Sequence, residues 1–234
     1  MKTISIFLAT FILFISGVQA DVSIDPVQMY ILNDAKQKTT TLTLESINET
    51  EKKFFEVKAY KWDQNKNGED VLEPEDALII NPRSFILQPK GKQVIRIGFN
   101  RPTQSILAGK QEGTWRILVE EIPQAVKESS ITFLLNFNLP LFIGKQDDIK
   151  LKFNIENDKL IVWNKANSHI QIANLKIIDS NKKEIFKSDT LGYALANKSL
   201  SYDLKGLKIQ DINNYNVKLQ TDKSNEMVEL KFME

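Results

Sequence analysis

The sequence predicts an all-β protein made of two sandwich-like domains. Three observations carry this. Beyond Asp21, apolar and polar residues alternate with a period of two, as in "TTTLTLES", "FFEVKAYKW", "QVIRIGF" and "TWRILVEEI". Turn-prone clusters such as "DQNKNGED", "NPRS", "QPKGK" and "NRPTQS" separate these runs, and no long amphipathic helix interrupts them. A glycine and four charged residues in "GKQDDIK", residues 144–150, then break the pattern before shorter alternating runs resume. Strands at this spacing fit β-sandwiches better than alternating βα units.

In chain order, residues 1–20 come first and stand apart. Lys2 provides a positive start, an apolar stretch follows from Ile4, and Val18-Gln19-Ala20 supplies a cleavage pattern, so the segment reads as a secretory signal peptide cut before Asp21. It is short for a membrane span, which needs roughly 20 apolar residues. Removing it takes away Lys2 and no acid, leaving 30 charges of each sign. The first domain is expected over residues 21–143, a linker over 144–150, and a smaller domain over 151–234. In the latter, "IKLKFNIEN", "KLIVWNKA", "IQIANLKIID", "YNVKLQT" and "MVELKF" read as strands.

The longest apolar run after the leader is "ITFLLNFNLPLFI", Ile131 to Ile143. Ile131, Phe133, Leu135, Phe137, Leu139 and Leu141 share one side of it, and Thr132 and Asn136 lie on the other. Alternation alone leaves open whether all six pack in a core or some serve a partner.

Composition excludes several classes. A balanced charge argues against nucleic acid binding. Without cysteine there are no disulfides, thiolate metal sites or cysteine nucleophiles. No phosphate loop, HExxH or GxSxG occurs, and no cofactor or small-molecule substrate is expected. The single histidine, His169, reads as an ordinary turn or strand residue, because no nucleophile or carboxylate has a sequence context to serve it. "DQNKNGED" resembles a calcium loop faintly, but lacks the twelfth-position glutamate and reads as a solvated hairpin loop. The expected protein is neither an enzyme nor a metalloprotein.

Several segments together resemble the PapD-like periplasmic chaperones of the chaperone–usher pathway. They are "VSIDPVQMYI", Trp62 in "VKAYKW", "INPRSFILQPKGKQVIRIGF", "GTWRILVEEIP" and, near the C-terminus, "QDINNYNVKL"; "NLPLFI" points to the archaic, or alternative, branch. The resemblance implies two immunoglobulin-like sandwiches in a boomerang arrangement, a periplasmic home in a Gram-negative bacterium, and pilus or fimbrial subunits and an outer-membrane usher as partners. It makes the long strand the donor lent to a subunit that lacks its own last strand. Ile131, Phe133, Leu135 and Phe137 are then the subunit-binding residues, with Phe137 at the boundary where, with Leu139 and Leu141, packing in the chaperone's own sandwich begins. Self-association of the free protein is a further expectation, since an apolar edge strand seeks a partner.

Many relatives anchor the subunit's terminal carboxylate with two basic residues. Here those positions hold Gln28 and Pro140, neither of them basic. Arg116 is the first substitute: with Trp115, Ile117 and Val119 facing inward, it points outward from the strand placed beside the donor. Arg96, placed one strand further away, is the second. Glu121 matches a family acid that holds the two domains in orientation. A pilus subunit, an adhesin or a secreted carbohydrate-binding protein is the competing class, with three Trp and five Tyr available to line a sugar site.

Overall fold

A computed structural model describes residues 22–32, 38–124, 133–209 and 211–232. The leader and Ile131 lie outside these residues. The first sandwich contains β1 (Val22–Asp25), β2 (Met29–Ile31), β3 (Thr39–Ser46), β4 (Lys53–Gln64), β5 (Asp70–Pro74), β6 (Leu78–Asn81), β7 (Ser84–Leu87), β8 (Lys92–Phe99), a short helix α1 (Thr103–Leu107), β9 (Glu112–Glu121) and β10 (Asn136–Gly144). One sheet has the order β1-β3-β8-β6 and the other β2-β10-β9-β4-β5, with β7 also on β4. Alternation decides what each strand buries: Leu42 and Leu44, Phe55 and Val57, Ile95 and Ile97, and Trp115, Ile117 and Val119 all enter one core between the sheets.

The second sandwich contains β11 (Leu151–Glu156), β12 (Lys159–Asn164), β13 (Ile170–Asp179), β14 (Glu184–Ser188), β15 (Gly192–Ala194), β16 (Ser199–Asp203), β17 (Tyr215–Thr221) and β18 (Ser224–Lys231). Its sheets are β11-β12-β16 and β14-β13-β17-β18, with β15 on β13. Its own core gathers Phe153, Leu160, Val162, Ile172, Ile177, Val217 and Leu219. The fold is nearly all β, of the two-domain immunoglobulin-like kind.

"DQNKNGED" is the β4–β5 hairpin loop, closed by the Asn65 side-chain oxygen accepting from the backbone N–H groups of Asn67 and Glu69 at 2.8 and 3.0 Å. Among the described residues no cluster of His, Asp and Glu could hold a metal.

The segment after β10 is tied down at several points. Asp147 accepts from the Asn167 N–H at 2.9 Å and from the Gln111 side chain at 2.9 Å, while its own N–H donates to Ser168 Oγ at 2.8 Å. Gln146 donates to Glu112 at 2.7 Å and accepts from Lys223 at 2.6 Å. These bonds draw residues of both sandwiches onto the connecting chain.

One expectation needs correction. Arg96 sits on β8, which belongs to the sheet opposite β9, not to a strand one step beyond it. With Ile95 and Ile97 turned into the core, Arg96 is exposed on that sheet's outer surface. Strand order along the chain does not state which sheet of a sandwich a strand joins.

Candidate functional site

Two features of the sheet containing β10 are candidates for binding. The first is its edge. β9 pairs with β10 along the whole strand, from Asn136 opposite Glu120 to Gly144 opposite Glu112. On the other side, β2 pairs only with Leu141–Ile143. Among the described residues, the stretch Asn136–Pro140 therefore has no strand on that side, and Pro140 lies where such an edge tolerates proline.

Along this edge the core runs out. Leu141 is wholly buried and Leu139 is 6% exposed, Phe137 and Leu135 are half-buried against the core, and Phe133 is 87% exposed. Glu121 fixes where the run begins. Its carboxylate accepts from the Leu135 N–H at 3.0 Å and pairs with Lys53 at 3.1 Å, and its own N–H donates to the Leu135 carbonyl at 2.9 Å. These partners all lie in the first sandwich, because Glu121 ends β9 beside Leu135 and Phe55. On β9 the acid that reaches the second sandwich is Glu112, at the opposite end of the strand.

The second feature is the outer face of the same sheet, where it meets the second sandwich. Trp62 and Phe142 are buried there with Tyr193 and Leu195, and Tyr30 packs alongside. His169, just ahead of β13, lies flat on Phe142 with a 4° angle between the rings. Its side chain is fully buried between two acids. Nδ1 is 2.7 Å from Glu112 Oε1, and Nε2 is 3.0 Å from Asp222 Oδ2. The His169 N–H also donates to Glu112 at 2.7 Å, and Asp222 accepts from the Gln171 N–H at 2.8 Å. Gln28 and the Tyr30 hydroxyl donate to Asp222, each at 3.3 Å. His169 is thus no ordinary turn residue but a pin between the domains. Its acids lie 57 and 53 positions away, so no local motif announces it.

Burial acts to raise the Asp222 carboxyl, but the hydrogen bond and charge of His169, the Gln171 N–H and Lys223 outweigh it and hold the group below the usual carboxylate range. Burial pushes the Tyr30 hydroxyl up, and the negative charge of Asp222 adds to this. Gln28 is committed to this network.

Arg116 stands opposite Pro140 on β10 and Tyr60 on β4, in the same sheet face. Its guanidinium stacks 3.6 Å from the Trp62 ring and 5.3 Å from that of Tyr193. The side chain is 11% exposed. Among the described residues its one ion pair is with Asp70 on β5, Nη2 to Oδ2 at 3.4 Å, and its buried Nε has no hydrogen-bond partner there. Burial pushes its pKa down, and the neighbouring Asp70 and Tyr193 do not fully offset this. The site therefore holds a charge short of partners, between two aromatic rings from different domains.

The profile of the pili and flagellar-assembly chaperones, PapD N-terminal domain, matches residues 23–144. No curated protein matches. Among solved structures, the chain resembles one from the CsuC–CsuE chaperone–tip adhesion subunit pre-assembly complex of the archaic chaperone-usher Csu pili of Acinetobacter baumannii. The TM-score is 0.69 at 18% identity, over 92% of this chain and 100% of that one. It also resembles one from a Salmonella enterica complex of the SafA pilin with the SafB chaperone (TM-score 0.60, 14% identity, 90% of this chain and 95% of that one). The class 5 fimbriae chaperone CfaA is similar too (TM-score 0.59, 14% identity, 90% and 98%). At such identities the structural likeness is one of fold. The family match covers more than half of the chain and falls on the sandwich that carries β10 and Arg116. The protein belongs to the pili and flagellar-assembly chaperone family.

Proposed function

We propose that this pilus-assembly chaperone works in the periplasm, after loss of its leader before Asp21, by donating β10 and the residues before it to a pilus subunit for delivery to an outer-membrane usher. The open edge of β10 carries this reading. A subunit missing its last strand has an apolar groove and two unpaired sheet edges. An inserted strand supplies ladder hydrogen bonds while alternate side chains fill the groove. Phe133, Leu135 and Phe137 lie on one side of such a strand, increasingly exposed towards Phe133, and in the sequence Ile131 keeps the same alternation. Burying three large apolar side chains offers roughly 5–9 kcal/mol before ordering costs. Leu139 and Leu141 remain in the chaperone's own core and hold the donor in register.

The subunit's terminal carboxylate is assigned to Arg116. A carboxylate entering a partly dry cleft needs a cation, and a planar guanidinium can meet both of its oxygens. Gln28 is bound to Asp222, whose own carboxylate repels a second one. Arg116 lies across the sheet from Pro140 and has donor capacity to spare.

Co-purification of a co-expressed pilus subunit tests both assignments. Phe133→Ser should abolish recovery of the complex while the chaperone folds normally, and Asn136→Ser, on the other side of the strand, should be mild. Normal recovery with Phe133→Ser would sink the donor assignment. Arg116→Ala should cut recovery at least ten-fold, in line with the ~2–5 kcal/mol typical of a lost buried charge partner. Arg96→Ala, on the solvent side of the other sheet, should leave it unchanged. Wild-type recovery by Arg116→Ala would remove it as the anchor.

A further inference from the structure

Arg116 and Asp70 form a pair poorly suited to structural support. Asp70 lies on β5, an edge strand whose five residues are all exposed, and its side chain is 44% exposed. Its contact with Arg116 is single and long at 3.4 Å, where a charge-assisted bond usually measures about 2.7–2.9 Å and an arginine–carboxylate pair is often two-pronged. The other side-chain bond to Asp70 comes from Gln64 Nε2, at 3.3 Å. That same nitrogen donates to the Tyr193 carbonyl at 2.7 Å, and Gln64 Oε1 accepts from the Leu195 N–H at 3.0 Å. Gln64 is thus fixed by the second domain and holds Asp70 only weakly. The acids of the neighbouring network, Glu112 and Asp222, are bound to His169. Arg116 remains buried against Trp62 and Tyr193 with its Nε unpaired.

We propose that Asp70 is a displaceable internal stand-in, occupying Arg116 in the free chaperone and giving way when a carboxylate from a subunit arrives. The subunit side of this inference rests on the assignment of Arg116 as anchor. The exchange needs only an anion swap. Asp70 can turn outward into solvent from an exposed edge strand, and Arg116 keeps its place between the two rings. An uncharged group in the subunit cannot make the swap, because it would leave the guanidinium without a counter-charge. Asp70 therefore sets a threshold: only a ligand that offers a carboxylate with better geometry takes the site. Only the Asp70 side of the pair is exposed, so its carboxylate returns to water at little cost while the incoming carboxylate restores the counter-charge of the buried guanidinium.

The test is a titration of the mature full chain with sodium acetate at constant ionic strength, followed by the NMR signal of the Arg116 Nε–H, which Arg116→Lys identifies by its loss. Asp70→Asn should bind acetate with an apparent Kd at least three-fold lower than wild type, and acetamide should shift neither protein. Asp70→Ser should behave likewise, which guards against a local effect of the new amide. Neither variant should unfold at a clearly lower temperature than wild type, because the contact it loses is single and long. A structural ion pair predicts the reverse, with stability and acetate binding both reduced. Equal or weaker acetate binding in both Asp70 variants, or no saturable shift in any protein, would overturn the proposal. Because acetate replaces the subunit in this experiment, its result judges Asp70 alone, whereas subunit recovery with Arg116→Ala judges the anchor.

Discussion

Giving Gly144 a side chain would set a Cβ 2.1 Å from the Gln111 carbonyl oxygen, at a φ of +116° that L-residues rarely adopt. The obstacle is backbone, so it cannot rotate aside. Gly144→Ala should therefore cost ~2–3 kcal/mol and lower the midpoint of thermal unfolding by roughly 5–10 °C. A shift within 1 °C, read by circular dichroism, would contradict this account of the β10 exit. His169 carries a different kind of constraint. Either ring nitrogen alone would have an ordinary partner, but here both meet carboxylates, one from each domain. His169→Ala would leave Glu112 and Asp222 buried without the group between them. Removing one partner from a buried ionic network typically costs ~3–5 kcal/mol. Calorimetry should then show unfolding spread into two transitions, because the two cores lose a shared pin. One sharp transition at the wild-type temperature would count against the role.

At the scale of the element, one side of β10 changes character along its length. Its C-terminal half is core, with Leu139, Leu141 and Ile143 buried, and its N-terminal approach is offered outward. The period of two makes register all-or-none, since a one-residue slip exchanges the faces of a strand. Inserting one serine between Leu135 and Asn136 would leave Leu139 and Leu141 in place and turn the preceding apolar residues to the opposite side. Subunit recovery should be lost while thermal stability stays within a few degrees of wild type. If recovery survives, side-chain register is not what the partner reads. Alternation of the strand was visible in "ITFLLNFNLPLFI". The point where it leaves the core was not, because that depends on how far β2 extends beside it, and β2 reaches only Leu141–Ile143.

For the molecule as a whole, the network joining the sandwiches makes stability depend on acid. The Asp222 carboxyl titrates lower in the fold than the ordinary value of about 3.9, so folding favours its ionised form. That contribution is fully present above the ordinary value and is lost as pH falls through the lower, folded value. The unfolding midpoint should therefore decline below about pH 4, and Asp222→Asn should flatten that decline while lowering stability near neutrality. An identical pH profile in the variant would place the acid sensitivity elsewhere. Tyr30, Gln28, Glu112 and Lys223 surround the same pair, so the domain contact responds as a unit.

Period-two alternation, with turn clusters between the runs, was enough to specify an all-β chain, because that pattern is local and each strand's buried face follows from it. It also placed Trp115, Ile117 and Val119 inward and thus turned Arg116 outward. The strands β14, β15 and β16 escaped notice because they are short and carry little alternation of their own. Sheet membership escaped too, and with it the position of Arg96. So did the function of His169, whose partners come from β9 and the β17–β18 turn, and the meeting of Arg116 with Asp70 and Tyr193. Alternation is written in neighbouring residues. Which acid faces which base across a domain boundary is decided only when separate strands pack, and burial then gives those few long-range contacts their strength.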